Sequence, residues 1–125
     1  MANASELAKS YVPNSLGEGV CSDPAVIEAY VNDPLVEKEI SFGLINEVYY
    51  GVQHLKENPT AFTEPVLILH GAKDGLVSEK DSRDFFGEIA STDKSLRSYA
   101  KLFHEIRNEP SKEEVITDIV HWMNK

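Results

Sequence analysis

The chain has 125 residues, of which 42% are hydrophobic, and a formal net charge of -9. This composition fits one globular domain with a modest core and excludes a disordered chain. The acidic balance argues against nucleic acid as a partner, because phosphate binding requires a positive protein face. The single cysteine, Cys21, cannot form an internal disulfide, which suits a reducing compartment, and we expect it to be a small hydrophobic loop residue.

Targeting and cofactor signals are absent from the sequence. No segment approaches the roughly 20 apolar residues needed to span a bilayer, and the N-terminus lacks the regions of a secretory signal. Cytoplasmic residence is therefore the expectation. The four histidines have no metal-ligand spacing and no glycine-rich phosphate loop occurs, so we expect neither a metal nor a cofactor.

The first part of the chain, residues 1–60, has helical patterns and no strand candidate. A short helix is predicted over residues 4–10, and Asp23 with Pro24 predicts the start of a second one. A longer helix is predicted over residues 41–56 because apolar side chains recur three and four positions apart. These apolar residues are Leu44, Ile45, Val48, Val52 and Leu55.

The second part, residues 61–125, predicts an α/β unit, and a linker at 58–65 spans its boundary with the first part. The apolar run at 66–69 does not alternate, which is typical of a strand covered on both faces in a parallel sheet. The order strand, helix, strand, helix predicts a right-handed βαβ unit. The later elements are a helix opened by a capping box at Ser78–Asp81, a strand over 95–102, and a helix opened by a second capping box at Ser111 and Glu114.

Two strands are too few for such an apolar sheet, because a two-stranded sheet is marginally stable on its own. We therefore expect the chain to be a fragment or to be completed by a partner. An uncovered strand edge and face favour self-association, so the expectation is a homo-oligomer or pairing with a missing N-terminal half.

Two side chains with catalytic chemistry follow the predicted strands. Asp74 comes just after the first strand and His104 just after the second. Because ligands bind outside the carboxyl ends of parallel strands, these side chains can meet at one edge of the sheet. The carboxylate would orient the imidazole, and the second ring nitrogen would then act as a base.

The segments around these residues resemble a known family. "PVLILHGAKDGLVS" and "KLFHEIRNEP" look like the acid and histidine segments of α/β-hydrolases of the monoacylglycerol lipase and lysophospholipase group. The family patterns His-Gly-x-x-Asp and His-Glu-x-x-Asn-Glu are matched by His70, Gly71 and Asp74, and by His104, Glu105, Asn108 and Glu109.

The resemblance runs from about residue 6 to the end and implies the C-terminal part of an α/β-hydrolase fold. It implies a helical cap over residues 1–60 and, over 61–125, the part that carries the triad acid Asp74 and the triad base His104. The implied activity is hydrolysis of lipid-like carboxylic esters. The substrate-binding residues are expected to be Leu44, Ile45, Val48 and Val77.

The family's nucleophile motif, Gly-x-Ser-x-Gly, does not occur in the chain. The nearest segment, 13–17, begins with proline and follows no strand, so Ser15 is expected to be a cap-loop residue. The isolated chain is therefore expected to be inactive. The alternative is a non-catalytic lipid-binding, protein-binding or oligomerising module, with peripheral membrane contact through the cap.

Overall fold

The structure, a computed structural model, describes residues 4–14 and 16–125. Short helices and strands alternate in the first half, and a strand–helix–strand–helix series forms the second. In chain order the elements are α1 (Ala4–Leu7), β1 (Tyr11–Pro13), α2 (Pro24–Asn32), β2 (Glu39–Ser41), α3 (Phe42–Glu57), β3 (Val66–Gly71), α4 (Glu79–Glu88), β4 (Lys94–Tyr99) and α5 (Lys112–Met123).

The strands β3 and β4 form a parallel pair, with Val66 opposite Lys94 and Gly71 opposite Tyr99. Helix α4 connects the two strands and packs against both of them. The predicted α/β class and the parallel pairing are therefore confirmed. Strand β4 ends at Tyr99, earlier than predicted, and Leu102 lies in the following loop, where it is nevertheless buried.

The prediction that residues 1–60 contain no strand is wrong. Tyr11 pairs with Ser41 and Pro13 with Glu39 in an antiparallel ladder between β1 and β2. Each strand has only three residues, too few to show an alternating pattern, and their pairing joins segments that are distant in sequence. The expectation that Ser15 is a loop residue lies outside the described residues.

Helix starts were predicted better than the hydrogen bonds that fix them. Asp23 and Ser41 accept backbone N–H bonds of 2.9 and 3.1 Å at the starts of α2 and α3. Ser78 and Ser111 precede α4 and α5, but neither side chain makes a capping bond. The two predicted capping boxes are wrong in this respect, and at Ser111 the backbone is not extended as an N-cap requires.

The hydrophobic core lies between β4, its following loop and α5. Helix α3 contributes no buried residue to this core. None of the described helices is long and apolar enough to cross a lipid bilayer. The predicted cover on both faces of β3 is also wrong within this chain, since its apolar run at 66–69 is only half-buried. The buried core residues are Tyr99, Leu102 and Val115, with Leu69, Ile106 and Ile119 packed against them.

Candidate active site

The turn after β3 and the loop after β4 lie in direct contact. A Cβ atom on Gly71 would lie 2.1 Å from the carbonyl oxygen of Phe103 and 2.4 Å from that of Leu102, so only glycine permits this approach. The N–H of Lys73 donates to the carbonyl of Leu102 over 2.9 Å. These contacts bring the turn that carries Asp74 against the loop that carries the histidine.

Asp74 has a buried carboxylate, 4% exposed, with donors on both oxygens. Its Oδ1 accepts the backbone N–H groups of Leu76 and Val77 over 2.8 and 2.9 Å. Its Oδ2 lies 2.9 Å from Nδ1 of His104 and 3.3 Å from Nε2 of His70. The structure therefore brings together the predicted acid and base, and adds a second histidine.

The hydrogen bonds of Asp74 outweigh its burial. Burial raises the pKa of this carboxyl, whereas the bonds from the Val77 N–H, from His104 and from the Leu76 N–H lower it, and the net pKa lies below its ordinary value of 3.8. The carboxylate is therefore charged at neutral pH. A charged carboxylate can accept a hydrogen bond from an imidazole N–H and orient the ring, as the acid of a catalytic triad does.

The ring of His104 has one nitrogen held by Asp74 and the other available. Since a carboxylate only accepts hydrogen bonds, Nδ1 of His104 must carry the proton that it shares with Asp74. No described residue forms a hydrogen bond with Nε2, and the side chain is 40% exposed. The neutral ring can therefore take a proton at Nε2.

His70 is buried beside the same carboxylate. Its Nε2 faces two acceptors, the carbonyl of Val77 at 3.2 Å and Oδ2 of Asp74, so this nitrogen carries a proton. Its Nδ1 lies 2.8 Å from Oγ of Ser82, on α4. Hydrogen bonds therefore hold the side chains of His70 and Asp74 in place. Within residues 4–14 and 16–125, no group of three or more His, Cys, Asp or Glu residues is arranged to hold a metal ion.

The contact between His70 and Asp74 was not predicted from the sequence, where His70 entered only as part of the His-Gly-x-x-Asp pattern. The spacing of four residues across a turn was the available signal, but the same spacing occurs in many turns without such a contact.

Cys21 is buried, as predicted, and burial raises the pKa of its thiol, which makes the reactive thiolate scarce.

Glu109 is a second buried carboxylate, 1% exposed, that the sequence analysis quoted without a role. Its Oε1 accepts the N–H groups of Ser22 and Phe103 over 3.0 and 2.9 Å, and its Oε2 accepts the Ser22 hydroxyl. Glu109 therefore links a loop of the first half of the chain to the residue that precedes His104.

The predicted substrate-binding residues lie in different places. Val77, which donates its N–H to Asp74, lines a groove of about 470 Å³ between α3 and α4. Ile45 lines a separate hollow beside α1. Leu44 and Val48 lie on the exposed surface of α3, with 54% and 56% of each residue accessible. The structure therefore places only Val77 next to the acid.

An acid and a histidine in contact at the carboxyl ends of neighbouring parallel strands are typical of triad hydrolases with an α/β fold. A sequence profile of the hydrolase family described as serine aminopeptidase, S33, matches residues 3–111. The chain belongs to this family of α/β-hydrolases.

Individual relatives include lipases from several organisms. The monoacylglycerol lipase of Mycolicibacterium smegmatis is 34% identical over 113 residues, which are 90% of this chain and 40% of that protein. A phospholipase of Bacillus subtilis is 33% identical over 91 residues, 72% of this chain and 35% of that protein. The crystal structure of Paleococcus ferrophilus monoacylglycerol lipase superposes with a TM-score of 0.88 and 28% identity, over 95% of this chain and 49% of that one. The chain thus spans less than half the length of these relatives.

Proposed function

We propose that this chain carries the acid and the base of a serine carboxylester hydrolase, Asp74 and His104, and that the substrate is a lipid-like ester. The observation that carries the proposal is the 2.9 Å contact between His104 Nδ1 and the buried, charged carboxylate. The substrate class is supported by similarity to proteins described as a monoacylglycerol lipase and a phospholipase.

In the complete enzyme, a serine would attack the ester carbonyl while Nε2 of His104 takes the serine proton. Asp74 would stabilise the imidazolium, which then gives the proton to the leaving alcohol. A water molecule, activated by the same nitrogen, would hydrolyse the acyl-enzyme. No Gly-x-Ser-x-Gly segment occurs in the 125 residues, so the nucleophile would come from polypeptide outside them.

The division of labour within the chain is part of the proposal. Residues 1–60 would cover the acyl-binding site as a cap, and residues 61–125 would supply the acid and the base. The groove between α3 and α4 offers an acyl chain the apolar side chains of Val52, Leu55, Val77 and Phe85. It is also lined by Lys56, Asp81, Ser82, Asp84 and Glu88. Val77 connects this groove to the acid, since its backbone N–H donates to Asp74.

The test is reconstitution with the portion of the Mycolicibacterium smegmatis lipase that this chain does not match. We expect the two polypeptides, co-expressed, to release fatty acid from a monoacylglycerol, and the 125-residue chain alone to release none. His104→Ala should lower turnover by about 10⁴-fold or more, since triad members act as a unit.

The matched control is His121→Ala, which removes an exposed histidine from α5 and should leave turnover unchanged. A His104→Ala assembly as active as the unmodified one would refute the proposed base. Turnover by the isolated chain that His104→Ala abolishes would refute the requirement for an external nucleophile.

A second candidate function is non-catalytic lipid binding through α3. The helix exposes apolar and aromatic side chains, including Leu44, Val48 and Tyr49, each more than half accessible. Flotation with phosphatidylcholine vesicles tests it: Val48→Asp should lower the bound fraction, and Val120→Asp, on the exposed side of α5, should not. Absence of the unmodified chain from the vesicle fraction would refute it.

A further inference from the structure

We propose that Glu109 is a positioning residue for His104, a role that rests on the proposed function of the Asp74–His104 pair. Glu109 is 1% exposed, and no lysine, arginine or histidine of the described residues forms an ion pair with it. A buried carboxyl group is costly unless hydrogen bonds satisfy its oxygens, so the donors to Glu109 indicate which segments it holds in place.

All of the donors to Glu109 come from two segments that are distant in sequence. Ser22 supplies its N–H, at 3.0 Å, and its hydroxyl, and Phe103 supplies its N–H at 2.9 Å. The carboxylate therefore ties the loop before α2 to the residue that immediately precedes His104. None of these hydrogen bonds involves Asp74, so Glu109 would act on His104 through the backbone and not through the acid.

The peptide that follows His104 is held by the same loop. The N–H of Glu105 donates to the carbonyl of Val20 over 2.7 Å. Val20 and Cys21 are among the most buried residues of the molecule, at 2% and 1% exposed, so this anchor is firmly packed. Both neighbours of His104 are thus fixed to residues 20–22, directly or through Glu109.

This anchoring matters because His104 lies outside regular secondary structure and its ring must meet Asp74 at 2.9 Å. A loop that lacks helix or strand bonds holds a side chain only as well as its own anchors hold the backbone. Glutamine at position 109 could keep these contacts, because its oxygen can accept both N–H groups and its NH₂ group can donate to the Ser22 hydroxyl. Methionine, which is similar in size and is only a weak acceptor, would lose the bonds from the N–H groups of Ser22 and Phe103.

The test is the tautomer of the His104 ring, measured from its ¹⁵N resonances in the full 125-residue chain at a pH where the ring is neutral. In the unmodified chain the Nδ1–H tautomer should dominate, because Asp74 accepts from that nitrogen. In Glu109→Met the Nδ1–H fraction should fall by roughly half or more, because the loop would no longer hold the His104 ring against Asp74.

The matched control is Glu113→Met, which makes the same replacement at an exposed position on α5 and should leave the tautomer fraction unchanged. If Glu109 only stabilised the fold, its replacement would lower the free energy of unfolding without altering this fraction in the folded chain. An unchanged fraction in Glu109→Met overturns the proposal.

Two further variants complete the design. Ser22→Ala removes one donor to Glu109 and should lower the Nδ1–H fraction to a value between those of the unmodified chain and Glu109→Met. If Glu109→Met does not fold, an unchanged fraction in Ser22→Ala overturns the proposal. Asp74→Asn tests the pair itself, since the backbone donors at Oδ1 would turn the new NH₂ group toward His104. No response to Asp74→Asn would refute the proposed function, whereas a response to Asp74→Asn but not to Glu109→Met refutes only the role of Glu109.

Discussion

Asp74 shows how one carboxylate can be buried and still serve an exposed partner. Two backbone N–H groups occupy Oδ1, and two imidazole nitrogens share Oδ2. His70 approaches from the interior, where Ser82 holds its other nitrogen, and His104 approaches from the solvent side. Because every side of the carboxylate is occupied, its orientation is fixed before any substrate arrives, which is the preorganisation that acid–base catalysis needs.

The same hydrogen bonds predict a pH-dependent contribution to stability. The pKa of folded Asp74 lies below its ordinary value of 3.8, so ionised Asp74 favours the folded state. This contribution is present above the unfolded pKa and is lost as the pH falls through the folded pKa. We expect the difference in free energy of unfolding between the unmodified chain and Asp74→Asn to shrink as the pH is lowered from about 7 to about 3. Urea unfolding at several pH values measures it, and a difference that does not vary with pH would contradict it.

At the scale of elements, α3 depends on its ends because it contributes no buried residue to the core. Ser41 fixes the start of α3 by accepting the Leu44 N–H over 3.1 Å. We expect Ser41→Ala to lower the free energy of unfolding by about 1 kcal/mol, the usual effect of losing a capping bond. Ser78→Ala is the matched control, because Ser78 precedes α4 without a capping bond, and it should change stability by less than about 0.5 kcal/mol. Equal effects of the two substitutions in urea unfolding would contradict this assignment.

Elements with a local signature could be predicted from the sequence, and contacts between distant segments could not. The apolar run at 66–69 and the polar residues after each strand sufficed to place Asp74 and His104 at one edge of a parallel sheet. The ladder between β1 and β2 was missed because three-residue strands have no periodicity and gain their bonds only from each other. The role of Glu109 was hidden for a similar reason: a glutamate on its own predicts an exposed side chain, and its donor Ser22 lies 87 positions away.

At the scale of the whole molecule, an apolar surface beside β3 is left partly uncovered. Strand β3 pairs only with β4 among the described residues, and its apolar residues border a hollow of about 490 Å³. The hollow is also bordered by Trp122, whose buried Nε1 has no hydrogen-bond partner within the described part of the chain, and by Met123, which is 71% exposed. An open strand edge next to such a surface favours association with another chain.

We therefore expect the purified chain to self-associate, with a mass by light scattering that exceeds 13.9 kDa and rises with concentration. Met123→Lys should shift the mass toward that of the monomer, because association would bury the new charge in an apolar hollow without a partner. Val120→Lys is the matched control, since Val120 lies on the same helix, is 50% exposed and does not line the hollow. A monomer at all concentrations would contradict the expected association, and equal effects of the two lysine substitutions would show that association uses a different surface.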